Sequence, residues 1–267
     1  MRKKKGTNGS RFREIVSVLR KHNITHGLSP KKLRLIMEDL GPTFVKIGQI
    51  MALHSDVLPK AYCDELMELC TDARPMPFEE AVAVIDESYG RSWKKVFSSI
   101  EETPIGSASI AQVHRAVLKT GEEVVVKIQR KGIYEMMARD IEFIRKAIKL
   151  MPPISLKGMA DFDLVLDELW SVTRDEMNFL TEAANIEEFA RRNKDVNFVQ
   201  TPVLYQQYTT VHVLVMEYID GCGIDEKDKL LEDGYDLKEI GSKLVDNYIK
   251  QVMDDGFFHA DPHSGKC

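Results

Sequence analysis

The spacing of apolar and polar positions changes once along the chain, near Ile100. Before that point apolar residues recur every three or four positions, which predicts helices. We place them at residues 11–22, 30–39, 43–54, 60–69 and 78–89. Ser29 and Pro30 supply an N-cap and a first-turn proline for the second helix. On the third helix, Phe44, Ile47 and Met51 are expected to form the buried stripe.

After Ile100 the period becomes that of strands. Residues 104–130 read as two strands, a turn at 119–121 and a third strand at 124–128, whose β-branched run is typical of a buried strand. Helices are predicted at 132–151 and 161–193, then short strands at 203–207 and 211–216. A last amphipathic helix carries one apolar side, formed by Ile240, Leu244, Val245, Tyr248, Ile249 and Val252.

Composition indicates a globular protein and names no function. Apolar residues make up 43% of the 267 positions and charged residues 30%. Net charge is −5, but residues 1–34 hold eleven Lys or Arg and one acidic residue. This basic end either contacts an anionic membrane surface or forms a solvated helix behind a disordered lead over residues 1–10. No nucleic-acid partner is expected.

The same features bear on location. No apolar run approaches the length of a membrane span, and the basic start lacks the apolar core of a signal peptide. The four cysteines have neither metal-like nor disulfide-like spacing, which fits a reducing compartment. We therefore expect a cytoplasmic protein, with peripheral membrane attachment as the alternative.

One charged residue interrupts the most apolar strand. Lys127 lies in the strand Val124–Ile128, where burial of an unpaired ammonium would cost roughly several kcal/mol of stability. It either meets an anion or extends its stem to water. Ahead of it the small residues 106–109 would let backbone amides approach a phosphate. These residues fit a nucleotide site and equally an ordinary hairpin with one edge lysine.

Three other segments offer candidate partners for such a site. Glu182, on a helix, is the natural counter-ion for Lys127. Lys46 and Gln49, three residues apart, share a helix face that either reaches into a site or is simply solvated. The segment after the strand at 211–216 is either a lobe-to-lobe hinge or a plain linker.

Five short motifs follow one another in a specific order and spacing. They are Lys46-Ile47-Gly48-Gln49, Ser107-Ala108-Ser109 before residues 110–114, residues 126–129, Glu182-Ala183-Ala184-Asn185 and residues 259–263. With them the sequence resembles the UbiB family of atypical protein-kinase-like proteins, from about Leu40 to Gly265. The resemblance implies an α+β, protein-kinase-like fold. Residues 1–99 would be a helical extension, 100–219 a small antiparallel-sheet lobe with inserted helices, and 220–267 the start of a helical second lobe.

The resemblance also implies how a nucleotide is held. Ser107, Ala108 and Ser109 would form the alanine-rich loop that replaces the glycine-rich loop of typical kinases above the phosphates. Lys127 matches the lysine that pairs with the α- and β-phosphates of ATP. Glu182 matches the glutamate that pairs with that lysine.

Further residues match the hinge and the catalytic region of the family. Glu217 and Tyr218 stand where the hinge holds adenine by its backbone. Asp261 corresponds to the catalytic-loop aspartate, which accepts or orients the acceptor's proton. Lys46 and Gln49 would project into the active site and block a protein substrate, which favours a small or lipid-like acceptor or ATP hydrolysis.

Three departures from the family pattern bear on activity. The Glu-x-Asp motif reads Glu176-Met177-Asn178, so Glu176 remains as a candidate catalytic residue and the second carboxylate is an amide. Where a metal-holding asparagine belongs, five residues after Asp261, stands Lys266, which cannot ligate Mg²⁺. The sequence ends before any Asp-Phe-Gly-like segment. We expect a chain of this extent to be catalytically poor or inactive.

Three functions remain in competition. The first is a kinase-like ATP-binding protein, an ATPase or a small-molecule or lipid kinase, tied to isoprenoid-quinone or membrane-lipid metabolism. ATP and Mg²⁺ are its expected cofactors, and a lipid or quinone precursor its expected partner. The second is a nucleotide-binding scaffold without turnover. The third is a metal hydrolase, in which His259, Asp261 and His263 would ligate the metal.

Overall fold

The computed structural model describes residues 8–24, 27–52, 55, 58–69, 74–149 and 162–260. Within these residues the helices are α1 Asn8–Lys21, α2 Pro30–Leu40, α3 Pro42–Ala52, α4 Lys60–Met67, α5 Phe78–Tyr89, α6 Ile133–Lys149, α7 Phe162–Glu176, α8 Phe179–Asn193, α9 Lys227–Glu232 and α10 Leu237–Lys250. The strands are β1 Phe97–Ile100, β2 Gly106–Ser107, β3 Ala111–Leu118, β4 Glu123–Gln129 and β5 Val213–Glu217. The predicted switch from helices to strands near Ile100 is confirmed.

One antiparallel sheet occupies the middle of the chain. Its order is β1-β3-β4-β5, and β2 pairs with β3 beside β1. The residues Gly106, Val113, Lys127 and Leu214 are aligned across four strands of this sheet. Lys127 is therefore in the central part of the sheet and not on an edge strand, so the edge-lysine interpretation is wrong.

The two faces of the sheet bury different helices. Residues of β4 alternate, and Val124, Val126 and Ile128 are fully buried in a cluster that includes Ala81 and Ile85 of α5. On the opposite face, Ala111 and Leu214 pack against Phe179 and Ala183 of α8. Lys127 belongs to this second face, so the pleat directs it towards α8.

The helices before the sheet pack against each other. The predicted cap of α2 is confirmed, because the Ser29 side chain accepts a hydrogen bond from the Lys32 amide. On α3, Phe44, Ile47 and Met51 are only half-buried, and the fully buried positions are Thr43, Gly48 and Ala52. The predicted stripe is therefore wrong in detail.

Gly48 explains that difference. A Cβ at this position would collide with the side chains of Leu69 and Met37, so α3 approaches its neighbours closely where it lacks a side chain. The glycine of the KxGQ motif thus has a packing role in this fold. The large residues of α3 lie at the margins of the contact.

The predicted helix over residues 161–193 is two helices. It is interrupted at Met177 and Asn178, and the Asn178 side chain accepts a hydrogen bond from the Leu180 amide at 3.2 Å. Asparagine is a favoured N-cap because its oxygen satisfies an amide that the helix leaves free. A new helix, α8, therefore starts at this point.

Two further predictions differ from the structure. The strand predicted at 203–207 is reduced to one bridge, Leu204 to Met216, followed by a 3-10 turn at Gln206–Tyr208. The predicted disordered lead is also wrong for residues 8–10, which belong to α1. Its first seven residues lie outside the described part of the chain.

The apolar side of the last helix is not buried. Leu244, Val245 and Ile249 of α10 are 54%, 55% and 53% exposed. The buried position of α10 is instead polar, Asn247, as is buried Gln251 directly after the helix. The predicted amphipathic helix is thus present, and much of its apolar side is exposed.

Candidate functional site

A bidentate ion pair joins the sheet to α8. The Lys127 ammonium donates to both carboxylate oxygens of Glu182, each at 2.7 Å. The two side chains are 27% and 35% exposed, so the pair lies at the margin of the core and is open to solvent on one side. The predicted pairing of Lys127 with Glu182 is confirmed. The Lys127 ammonium meets an anion at the margin of the core, and its stem does not simply extend to water.

Local sequence explains why Glu182 is in reach. The Asn178 cap fixes the start of α8, and Phe179 and Ala183 turn one side of its first turn into the core. Glu182 follows Phe179 by three residues and therefore lies on the same side of the helix. Phe179 was not predicted as a site residue, yet its ring centroid is 5.1 Å from the Lys127 ammonium. A cation–π contact of this kind holds the amine over the sheet.

The small-residue segment forms a tight hairpin between β2 and β3. Ser107 pairs with Gln112, and the Ala108 amide donates to the Ala111 carbonyl at 2.8 Å. Ala108 is exposed, whereas Ser107 and Ser109 are half-buried. Part of the predicted loop is thus strand, and the turn itself is short.

Gly106 leaves open space on the side of the sheet that carries Lys127. The register aligns the two residues two strands apart, about 10 Å. A Cβ built on Gly106 would meet nothing within 4 Å. The backbone there is ordinary strand, so glycine is not needed for its conformation. A ligand lying over this face would have room that a side chain would occupy.

A buried network holds β3 beneath the hairpin. His114 and Gln112 are both fully buried. The His114 Nδ1 donates to the Glu101 carbonyl at 2.7 Å, and its Nε2 accepts from Gln112 at 2.7 Å. Burial lowers the pKa of His114, which keeps the ring neutral. Gln112 also accepts from the Met76 amide at 2.8 Å, so the network fixes three segments of chain.

A second ion pair connects α3 with the end of α7. The Lys46 ammonium lies 2.6 Å from a Glu176 carboxylate oxygen. The Lys46 side chain is 18% exposed and that of Glu176 is 40% exposed. Gln49 is half-buried on the same helix and makes no side-chain hydrogen bond within the described residues. The structure thus brings Lys46 and Glu176 together and leaves Gln49 beside them.

The helix that carries Lys46 is anchored by a buried carboxylate. Asp140 of α6 accepts from the Thr43 hydroxyl at 2.8 Å and from the Arg11 guanidinium at 2.8 and 2.7 Å. Its side chain is only 2% exposed. One carboxylate therefore ties α1, α3 and α6 together, one helical turn from Lys46.

The backbone amides of the predicted hinge residues, Glu217 and Tyr218, already donate hydrogen bonds within the protein. The Glu217 amide donates to the Val203 carbonyl at 2.8 Å, and the Tyr218 amide donates to the Glu123 carbonyl at 3.1 Å. The Arg115 guanidinium lies 4.0 Å from the Tyr218 ring centroid. Adenine would therefore have to use the carbonyl oxygens of this segment or a neighbouring amide.

The candidate catalytic aspartate, Asp261, lies outside the described residues, as does His263. The chain that leads to it is fixed as far as His259, whose amide donates to the Gln251 side chain at 3.1 Å. Gln251 in turn donates to Asn247, which donates to Asn193 at the end of α8. The role of Asp261 and the metal-ligand alternative stay predictions.

The family model described as the ABC1 atypical kinase-like domain matches residues 68–266, about three quarters of the chain. The chain belongs to the ABC1 family. A probable protein kinase UbiB of Pseudomonas fluorescens is 37% identical over 238 residues, which cover 88% of this chain and 44% of that protein. The predicted resemblance is thereby confirmed.

Other relatives show the same partial coverage. An uncharacterized protein from the hydrogenase 1 5′ region of Clostridium pasteurianum is 45% identical over 89% of this chain and 45% of its own length. The chloroplastic protein ACTIVITY OF BC1 COMPLEX KINASE 8 of Arabidopsis thaliana is 39% identical over 94% of this chain and 33% of its own length. The chain thus spans less than half of the curated relatives it matches.

The fold has a counterpart among solved structures. The Rv3197 protein of Mycobacterium tuberculosis, solved in complex with erythromycin, matches with a TM-score of 0.60 and 28% identity over 95% of this chain and 62% of that one. The predicted α+β kinase-like fold is confirmed. Across the described residues, no helix combines the length and apolar character that a bilayer crossing requires.

Proposed function

We propose that this ABC1-family chain binds ATP between the Gly106–Ser109 hairpin and the Lys127–Glu182 pair, as the nucleotide-holding part of a kinase-like protein. The observation that carries the proposal is the bidentate pair itself. It holds an ammonium at the core margin, on the sheet face where Gly106 leaves space. An amine held in this way is positioned to donate hydrogen bonds to an anionic ligand.

The residues present fit a nucleotide. Lys127 would contact the phosphates, the hairpin would cover them, and the segment at Glu217 and Tyr218 would hold the base. ATP supplies a phosphoryl group, and its transfer depends on positioning and on charge stabilisation more than on covalent chemistry from the protein. Mg²⁺ is the metal expected to accompany it.

The Lys46–Glu176 pair bears on the size of the phosphoryl acceptor that the site could admit. Both residues are committed to each other at 2.6 Å, and the helix behind Lys46 is anchored by buried Asp140. We propose that this arrangement excludes a polypeptide and admits a small acceptor or water. Membership of the family that includes UbiB supports a role in isoprenoid-quinone or membrane-lipid metabolism.

The second candidate is a nucleotide-binding scaffold without turnover. It is favoured by Asn178, which stands in the acidic motif of the family and uses its side-chain oxygen to cap α8. An amide already committed to a helix end does not replace a carboxylate in charge stabilisation. Binding would then report nucleotide state and leave ATP intact.

Titration with ATP, with and without Mg²⁺, followed by phosphate release, tests the proposal. ATP binding with release that Asp261→Asn abolishes supports the enzyme. Binding without release supports the scaffold. Asp254→Asn, at an exposed position, is the matched control and is expected to change neither readout. Absence of ATP binding by the wild-type chain would overturn both candidates.

A further inference from the structure

A buried glutamine contacts the break between α7 and α8. Gln129 ends β4, two residues after Lys127, and is 5% exposed. Its Nε2 donates to the Met177 carbonyl at 2.7 Å, and its Oε1 lies 2.7 Å from the His212 Nδ1. Because a carbonyl only accepts, the amide nitrogen of Gln129 must face Met177, and its amide oxygen therefore accepts from His212. Both polar atoms of the side chain are thus engaged.

The bond to Met177 satisfies a carbonyl that the helix break leaves free. α7 ends at Glu176 and α8 starts at Phe179, so neither helix includes Met177. Within the described residues, no backbone amide donates to the Met177 carbonyl. Met177 is buried, and a buried carbonyl without a partner is costly. Gln129 therefore stabilises the break.

The junction between the two helices carries the carboxylates of both ion pairs. Glu176 directly precedes Met177, and Glu182 follows it by five residues. These carboxylates pair with the lysines of α3 and β4, respectively. A shift of the junction would therefore move both anions at once.

Strand β4 holds the junction and the start of α8 at two points. Lys127 and Gln129 are alternate residues of the strand, so their side chains leave the same face, about 7 Å apart. The Lys127–Glu182 pair is the first point, and it is partly exposed. The Gln129–Met177 bond is the second, and it is buried and uncharged. An ammonium that turns towards a phosphate loosens the first point, whereas the second does not depend on Lys127.

We infer that Gln129 is a positioning residue for the phosphates of ATP. By fixing the junction it keeps the Glu182 carboxylate beside Lys127 while the ammonium donates to a phosphate. The Gln129 amide is fully used by its two partners, so its effect on a ligand passes through Glu182. This inference rests on the proposed ATP site and adds a residue to it. It concerns nucleoside di- and triphosphates, because adenosine has no group for Lys127 to hold.

A double-mutant cycle tests the inference. Gln129→Met keeps the length of the side chain and removes both hydrogen bonds. We expect it to weaken ATP binding about five- to tenfold and to leave adenosine binding unchanged. In a Glu182→Gln background the same substitution should cost no further ATP affinity, because its effect passes through Glu182. Gln207→Met, at an exposed glutamine, is the matched control and should change the binding of neither ligand.

Three results of these titrations would overturn the inference. Equal losses of ATP and adenosine affinity in Gln129→Met would indicate a general distortion of the site. A loss of the same size in the wild-type and Glu182→Gln backgrounds would show that Gln129 does not act through Glu182. His212→Ala removes only the exposed partner of Gln129 and should bind ATP like the wild type. A loss as large as that of Gln129→Met would show that the Met177 bond is not the one that matters.

Hydrogen exchange covers a Gln129 variant that does not fold. The Phe179 amide, which donates to the Val211 carbonyl at 3.1 Å, reports on the start of α8. It should stay as protected in Glu182→Gln as in the wild type, because the Gln129 bond remains. Faster exchange in Glu182→Gln would show that the ion pair holds the junction, and would overturn this inference alone if the wild-type chain binds ATP. A wild-type chain that binds no ATP would refute the proposed function and the inference together.

Discussion

Substitution of Gly106 by alanine should affect stability and nucleotide binding in opposite directions. The backbone of Gly106 is ordinary strand, and an added Cβ would meet no atom within 4 Å. Replacing glycine where alanine fits without strain stabilises a protein by about 0.4–1 kcal/mol, because the unfolded chain loses freedom. The free energy of unfolding should therefore rise slightly.

The cost should appear only when nucleotide is added. The open space at Gly106 lies on the sheet face of Lys127, where the proposed phosphates would pack. A methyl group there would push the ligand away, and a loss of about 1.4 kcal/mol corresponds to about tenfold weaker ATP binding. Gly106→Val, with two more methyl groups, should lose more.

Urea unfolding and calorimetric titration with ATP measure the two effects on the same samples. Gly241→Ala is the matched control, because a Cβ on Gly241 of α10 also meets nothing within 4 Å. It should gain stability by up to about 1 kcal/mol and bind ATP like the wild type. Gly106→Ala with wild-type ATP affinity would refute the placement of the phosphates over this face.

Two further predictions concern the framework around the site. Asp140→Ala should lower the free energy of unfolding in urea by about 3 kcal/mol, the lower end of the cost of breaking a buried ion pair. The lower end applies because Arg11 would retain its second partner, the exposed carboxylate of Glu14. A loss below about 1 kcal/mol would contradict the anchoring role. Burial lowers the pKa of His114 below its ordinary 6.5, so the unfolded chain binds the proton more readily and stability falls as pH drops through about 6.5. His114→Gln should flatten this fall in urea midpoints measured from pH 7.5 to 5, and His212→Gln, at an exposed position, should not; equal profiles would refute the assignment.

The sequence located the ion pair because its two signals were local. Lys127 interrupts a β-branched run, and Glu182 lies in a segment whose apolar period predicts a helix. Strand alternation then placed the lysine on one face of the sheet. In the structure, Gly106 lies on the same face of the sheet as Lys127. This alignment depends on the register of β2, β3 and β4 together, so no single strand's sequence predicts it.

Other errors came from information that the pattern does not carry. The break at Asn178 had a local signal in the sequence, since asparagine favours helix starts, but a continuous apolar period concealed it. The exposure of the apolar side of α10 had no local signal, because periodicity shows which side of a helix is apolar and not whether another element packs against that side.

The most direct test of the central claim is ATP titration of Lys127→Ala beside Lys131→Ala. Lys131 is a nearby lysine whose contact with Glu87, at 3.5 Å, is on the surface. Loss of one charge-assisted contact is worth about 1.5–3 kcal/mol, so Lys127→Ala should weaken ATP binding by about one to two orders of magnitude. Lys131→Ala should bind ATP like the wild type. A folded Lys127→Ala variant with unchanged ATP affinity would contradict the account.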